Sequence, residues 1–217
     1  MKEKVENKKQ NSEQLSSFGG VGGGLSVVII DYGAGNIKSI QFAFKRLGID
    51  AVLSNNIDEI RAADKVIFPG VGEASSAMRM LQESGLDKVI PTLTQPVLGI
   101  CLGMQLMCNS SSEGDTKGLG IFNVAVKKFS NAVKVPQMGW NVIYNLKSDL
   151  FTGIKEKEFM YLVHSFYAEN CEEAIATTDY EFEYASALKK DNFYGVQFHP
   201  EKSGVEGAKI LQNFLNL

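Results

Sequence analysis

The chain has 217 residues, enough for one well-buried domain. Hydrophobic residues make up 44% and charged residues 22%, and the formal net charge of −3 leaves no basic excess to hold nucleic acid. No apolar run approaches the roughly 20 residues that cross a bilayer, and the start Met1-Lys2-Glu3-Lys4 stays polar where a secretory signal would turn apolar, so a cytoplasmic protein is expected.

Residues 1–26 combine Lys, Glu, Asn and Gln with the run Gly19-Gly20-Val21-Gly22-Gly23-Gly24, a composition that buries no core. They are expected to form a flexible N-terminal extension, with one domain over 27–217. The domain opens at Val27-Val28-Ile29-Ile30, a short apolar run of the kind found in buried parallel strands. Asp31-Tyr32-Gly33-Ala34-Gly35-Asn36 follows as a loop. Ile37, Ile40, Phe44 and Leu47 then keep helical spacing, and Gly48 is placed to stop that helix. The pattern repeats with a strand at Ala51 to Leu53. Val66-Ile67-Phe68 then runs into Pro69-Gly70-Val71-Gly72, and a helix uses Ala74, Ala77, Met78 and Leu81. A third unit has a strand at Val97 to Ile100 and a helix at Leu102 to Cys108.

Alternating strands and helices imply an α/β fold in three layers, a mainly parallel central sheet flanked by helices. From Ile121 the texture changes. Short β-rich segments at Ile121–Phe129, Trp140–Tyr144, Phe159–Tyr167, Tyr184–Leu188 and Phe193–Phe198 predict additional mixed or antiparallel strands in the C-terminal half, closed by a helix from Val205 to Leu215.

Gly99-Ile100-Cys101-Leu102-Gly103 lies where a buried strand meets a helix. It has the spacing of a nucleophile elbow with cysteine in place of serine. Small flanking residues suit a sharp turn, and a helix starting after Cys101 favours thiolate, the reactive form. Alone, a cysteine between two glycines fits a packing role equally well. The second motif changes that balance: His199-Pro200-Glu201 follows the apolar segment Tyr194 to Phe198, and Pro200 biases His199 to extended geometry. In an extended chain residues i and i+2 share a side, so Glu201 is expected to orient the imidazole, completing nucleophile, base and orienting carboxylate. The three cysteines, Cys101, Cys108 and Cys171, show no paired spacing, and the two histidines form no His/Cys cluster at ligand spacing, so no metal site is expected.

Taken together, Gly99 to Gln105 and Gly195-Val196-Gln197-Phe198-His199-Pro200-Glu201 resemble the class I (triad-type) glutamine amidotransferases, whose fold is flavodoxin-like. Within that class, four segments resemble the glutaminase subunits of imidazole glycerol phosphate synthases: Asp31 to Asn36, Pro69 to Gly72, Val135 to Asn141 and Val163-His164-Ser165-Phe166-Tyr167. The resemblance implies hydrolysis of glutamine to glutamate and ammonia, with no cofactor. It implies a heterodimer with a (β/α)8-barrel cyclase, which uses the ammonia to form imidazole glycerol phosphate and AICAR in histidine biosynthesis. It also implies an oxyanion hole from the Leu102 N–H and the Gly70-Val71-Gly72 strand, whose glycines let the peptide reorient when the partner is loaded. Gln105 and Glu113 would hold the amino-acid end of the substrate. Asn36 and Lys202 would face the partner subunit, and Trp140 would lie where ammonia leaves. His164 receives no catalytic role, its segment lining the glutamine site through backbone and packing. One departure stands out: Gln137 occupies a position where the family pattern most often has histidine. The alternatives are another amidotransferase of the class, feeding anthranilate, GMP or purine synthesis, a non-catalytic subunit on the same scaffold, and a stand-alone γ-glutamyl hydrolase.

Overall fold

A computed structural model describes residues 24–33 and 35–217, so most of the expected N-terminal extension lies outside the described residues. The central sheet begins with β1 (Val27–Ile30), β2 (Val52–Ser54), β3 (Lys65–Phe68) and β4 (Val97–Ile100). It continues through β5 (Cys108–Ser111), β6 (Thr116–Lys117), β7 (Phe122–Lys128), β10 (Phe166–Ala168), β11 (Ala174–Asp179), β12 (Glu183–Lys190) and β13 (Phe193–Val196). Its order is β2-β1-β3-β4-β13-β12-β10-β7-β5-β6, with β11 paired to β12. The first five strands in that order run parallel, and β12 reverses direction against β13. A separate antiparallel pair, β8 (Gln137–Ile143) and β9 (Glu158–His164), completes the strands.

Among the described residues six α-helices accompany them: α1 (Ile37–Arg46), α2 (Ile57–Ala62), α3 (Ala74–Ser84), α4 (Leu86–Val89), α5 (Leu102–Met107) and α6 (Gly204–Asn216). Period-two alternation in β1 divides its side chains between two cores. Val28 and Ile30 join a core with Ile60 of α2 and Ala77, Met78 and Leu81 of α3. Val27 and Ile29 join another with Ile40 and Phe44 of α1, Leu211 and Phe214 of α6, and Met160 and Leu162 of β9. Both faces of the parallel strands are thus covered, which explains why β1 and β4 read as unbroken apolar runs and β3 as one after Lys65. Each large side chain so buried contributes about 1.5–3 kcal/mol.

Helix ends follow the expected chemistry. Gly48 takes φ +81, and Ile49 N–H donates to Phe44 O at 3.0 Å, closing α1 as predicted. Several expectations need correction. Gly70-Val71-Gly72 is a loop rather than a strand, because β3 stops at Phe68 and Gly72 takes φ +94. The helix after Cys101 ends at Met107, and Cys108 begins β5 instead. The segment from Phe159 to Tyr167 is two strands that break at Ser165, β9 pairing with β8 and β10 with β7. Among the described residues no helix is long and apolar enough to cross a membrane.

Candidate active site

Strands β4 and β13 are parallel neighbours, with Gly99 opposite Gly195 and Ile100 opposite Val196. Both therefore end at the same sheet edge, the place where open α/β sheets present their ligand sites. One residue beyond β4 is Cys101, whose N–H donates to Val196 O at 2.8 Å and locks the two chain ends together. Cys101 has φ +54 and ψ −112, backbone that a residue with a Cβ adopts only under strain. The surroundings hold it there. A Cβ on Gly103 would collide with the Phe68 carbonyl oxygen, and one on Gly99 would collide with Met107 Cε and approach Met104 N. A Cβ on Gly70 would press on Leu102 and Gly103. The two glycines of the elbow and Gly70 in the loop after β3 are thus parts of one close backbone contact.

Three residues beyond β13, His199 points its Nδ1 at Glu201 Oε1, 2.8 Å away, with both side chains buried. The contact is the expected one, but its geometry differs from the expectation. His199 is extended (φ −100, ψ 93), whereas Pro200–Lys202 forms a 3-10 turn that folds the carboxylate back onto the ring. Proline fits the first position of such a turn because its missing N–H has no bond to lose there. The His199 backbone is held on both sides, its N–H donating to Tyr161 O at 2.9 Å and its carbonyl accepting from Ser203 Oγ at 2.7 Å. Burial by itself pushes the imidazolium down. Its hydrogen bonds to Cys101 and Glu201, and their charges, more than reverse this and raise it to about 9. Nδ1 faces the carboxylate, so Nε2 is the nitrogen that serves the sulfur.

A cavity of about 320 Å³ opens beside these groups, lined among others by Cys101, Leu102, Gln105, Glu113, His199 and Lys202. Val71 and Gly72 also border it, as do residues 163–166. Gln105 sits on α5 one turn after Cys101, and its Nε2 donates to Phe166 O at 2.9 Å and Gln197 Oε1 at 2.8 Å. Both of its N–H bonds are therefore engaged, leaving Oε1 to accept from a ligand. Glu113 reaches across to the start of α3, where Ala74 N–H donates to its Oε2 at 2.8 Å. Burial raises the Glu113 carboxyl above the ordinary range, and the Ala74 bond acts against that. Among the described residues, no three His, Cys, Asp or Glu side chains converge at metal-ligand spacing.

The other expected residues are more scattered. Gly70 lies behind the elbow, packed on Leu102 and Gly103. Lys202 lines the cavity and places its Nζ 5.8 Å from the centroid of Tyr161, whose ring packs edge-on against Trp140. Trp140 is 55% exposed. Asn36 precedes α1 and accepts from Ser39 Oγ at 3.1 Å, but it does not border the cavity. Motif spacing did not single out Gln197, although it is fully buried with its Nε2 3.7 Å from Cys101 Sγ. Nor did it single out the buried contacts of His164, whose Nδ1 meets Phe166 O at 2.7 Å and whose Nε2 meets the Tyr184 hydroxyl at 3.2 Å. The signal available for Gln197 was a polar residue inside an otherwise apolar strand end.

Comparison with known proteins agrees with this geometry. Residues 28–217 match the family described as glutamine amidotransferase class-I. The chain is 55% identical over 196 residues to the imidazole glycerol phosphate synthase subunit HisH of Bacteroides fragilis strain YCH46, covering 89% of this chain and 100% of that protein. It is 44% identical to the corresponding HisH subunit of Haemophilus influenzae strain Rd, covering 88% and 97%. Among solved structures, a putative GMP synthase subunit from Thermoplasma acidophilum superposes with a TM-score of 0.69 at 21% identity, covering 88% of this chain and 92% of that one, a likeness of fold.

Proposed function

Since the chain belongs to the class-I glutamine amidotransferases, among the HisH subunits of imidazole glycerol phosphate synthase, we propose that it hydrolyses glutamine with a Cys101-His199-Glu201 triad. The ammonia passes to a (β/α)8-barrel cyclase subunit, which forms imidazole glycerol phosphate and AICAR in histidine biosynthesis. The observation that carries this reading is the strained Cys101 on the wall of a cavity shared by the His199–Glu201 pair, Gln105 and Glu113.

Glutamine's α-ammonium would be received by Gln105 Oε1 and the Glu113 carboxylate. Its side-chain amide would then lie against the sulfur. The Cys101 thiolate attacks the amide carbon, forming the C–S bond and an oxyanion. The Leu102 N–H and the Gly70-Val71-Gly72 loop would stabilise that charge, and a flexible glycine loop suits a hole completed when the partner is loaded. Imidazolium His199 gives its proton to the nitrogen as the C–N bond breaks and ammonia leaves. Neutral His199 then takes a proton from water, whose oxygen attacks the glutamyl thioester and releases glutamate and the sulfur. Glu201 holds Nδ1 and stabilises the imidazolium throughout. Residues 1–26 are proposed to lie outside the catalytic domain, which comprises 27–217.

The test is a glutaminase assay of the purified chain with and without a barrel cyclase and its nucleotide substrate. Glutamate release that rises on adding both, and disappears in Cys101→Ala while added ammonia still supports the cyclase, is the expected result. Full release without the partner would overturn the control assigned to the loop, and normal turnover in Cys101→Ala would overturn the triad.

A further inference from the structure

The orientation of a side-chain amide is decided by its partners, and here the chain of partners starts from a group that can only accept. Phe166 O is a carbonyl, so the Gln105 atom 2.9 Å from it must be the amide nitrogen. That same nitrogen lies 2.8 Å from the Gln197 side chain, which must therefore present its oxygen. The Gln197 nitrogen is thereby turned to Cys101 Sγ at 3.7 Å, an ordinary N–H to sulfur separation. The backbone locks the same geometry. Gln197 N–H donates to Ser186 O at 2.8 Å, one residue from the Cys101 N–H bond to Val196 O, also 2.8 Å.

We propose that Gln197 is a further catalytic residue, a second hydrogen-bond donor to the Cys101 sulfur, held in its donating orientation by Gln105. The assignment rests on the triad reading. It deepens that reading by giving the sulfur a neutral donor beside His199. The sulfur carries a full charge at two points, as the thiolate before it attacks the amide and as the thiolate released when water cleaves the thioester. An amide N–H at 3.7 Å meets the charged sulfur at both points and needs no proton transfer of its own to do so. It also joins recognition to chemistry, because the Gln105 amide that exposes Oε1 to the cavity is the one that orients Gln197.

Other titratable groups surround the sulfur. His199 and Lys202 approach from the chain after β13, Glu113 and His164 line the same cavity, and the Tyr32 and Tyr184 hydroxyls act on it through space. At 4.0 Å, Val163 O can take the proton of the thiol but gives nothing to the thiolate.

The experiment compares wild type, Gln197→Met and Gln197→Glu in complex with the cyclase. Alkylation of Cys101 by iodoacetamide is followed peptide by peptide against pH, so that the half-buried Cys171 does not interfere. Loss of the donor in Gln197→Met is expected to move the alkylation midpoint up by about one pH unit, and Gln197→Glu further, since its carboxylate sets oxygen against sulfur. kcat should fall about tenfold or more with little change in KM, because Gln105 keeps its bond to Phe166 O. Unchanged midpoints and kcat would overturn the assignment. Should both variants fail to fold, the side-chain amide protons of Gln197 in the wild type provide the readout. They are expected to shift with Cys101 ionisation, and a flat response while His199 responds would overturn the proposal equally. Alkylation does not require glutamine, so normal midpoint shifts without any glutamate release would count against the glutaminase reading alone.

Discussion

Two histidines share this site in opposite protonation states. His199 is raised to about 9 by its two partners once their bonds outweigh burial, whereas burial pushes His164 down to about 4, with the charge on His199 adding to the effect. For His199 the folded value exceeds the ordinary 6.5, so the stability it contributes is complete below that pH and is lost as pH rises through about 9. Urea unfolding of wild type and Glu201→Gln should therefore differ most near about pH 6 and converge above about pH 9. Glutaminase activity of that variant should drop by about two to four orders of magnitude. His164 has the reverse sign, since a histidine held neutral costs stability as pH falls from 6.5 towards about 4. Its neutral form carries a further consequence. Nδ1 must donate to Phe166 O, so Nε2 can only accept, and the single proton of Tyr184 is committed to it. Gln137 Oε1 lies 2.9 Å from that hydroxyl, and with the hydroxyl proton committed to His164 the amide must turn over so that its NH2 donates to Tyr184. In a chain with two histidines, 15N spectra should show His164 with a bare Nε2 from about pH 6 to 9, and Gln137→Glu, which can only accept when ionised, should protonate it. A His164 already protonated in the wild type at neutral pH would refute the arrangement. Cys101, His199 and Glu201 were legible in the sequence because each lies inside a short motif. The Gln105–Gln197 and Gln137–Tyr184–His164 contacts join residues up to 92 apart, which no local spacing reveals.

The elbow depends on glycines at the element scale, and their replacement separates close packing from backbone conformation. Gly103→Ala places a Cβ against the Phe68 carbonyl oxygen, and neither backbone can yield without pulling β3 from β4. A loss of about 3 kcal/mol or more in urea unfolding is expected. Gly85→Ala is the control. Gly85 ends α3 with φ +73 but has open space around its Cβ position, so only left-handed strain applies, about 1 kcal/mol. Similar losses in the two variants would show that the Phe68 contact does not set the elbow. The parallel half of the fold was legible for the same reason that it is stable. Its strands β1 and β4 are fully apolar and β3 is so after Lys65, its helices keep a 3.6-residue stripe, and glycines end α1 and α3. Less legible were β5 and β6, whose residues Cys108-Asn109-Ser110-Ser111 and Thr116-Lys117 are mostly polar; β5 is a strand because β7 offers an edge to pair with, and β6 because β5 does. The helix α2 is six residues long and begins on an Asn56 cap, too short a segment for its apolar period to stand out.

At the scale of the whole molecule the two faces of the sheet are finished differently. The face carrying α2, α3 and α4 presents polar helix surface, while the opposite face carries the β8–β9 pair, which is apolar on both of its own sides. Its inner residues Ile143, Met160 and Leu162 enter the core. Its outer residues fall into register as Met138 with Val163, Trp140 with Tyr161 and Val142 with Phe159. Three of them, Met138, Trp140 and Phe159, are more than half exposed. Large apolar side chains grouped on one open strand pair mark an interaction surface. This one runs from solvent to Val163, whose carbonyl lies 4.0 Å from Cys101 Sγ, so a protein docked there sits at the end of a short path from the released ammonia. Such surfaces concentrate their binding energy in a few large side chains, with tryptophan prominent among them. Trp140→Ala is therefore expected to weaken binding of the proposed barrel cyclase by about 30-fold or more, and Met138→Lys to do at least as much by setting a charge among apolar partners. Arg61→Glu on α2, in the opposite layer, should leave affinity unchanged. Titration calorimetry with the purified cyclase distinguishes these outcomes, and equal affinity for wild type and Trp140→Ala would place the docking surface elsewhere. A variant that binds weakly yet reaches normal coupling at saturating partner would assign Trp140 to docking alone. Lost coupling at saturation, with glutamate still released, would place it on the route the ammonia takes.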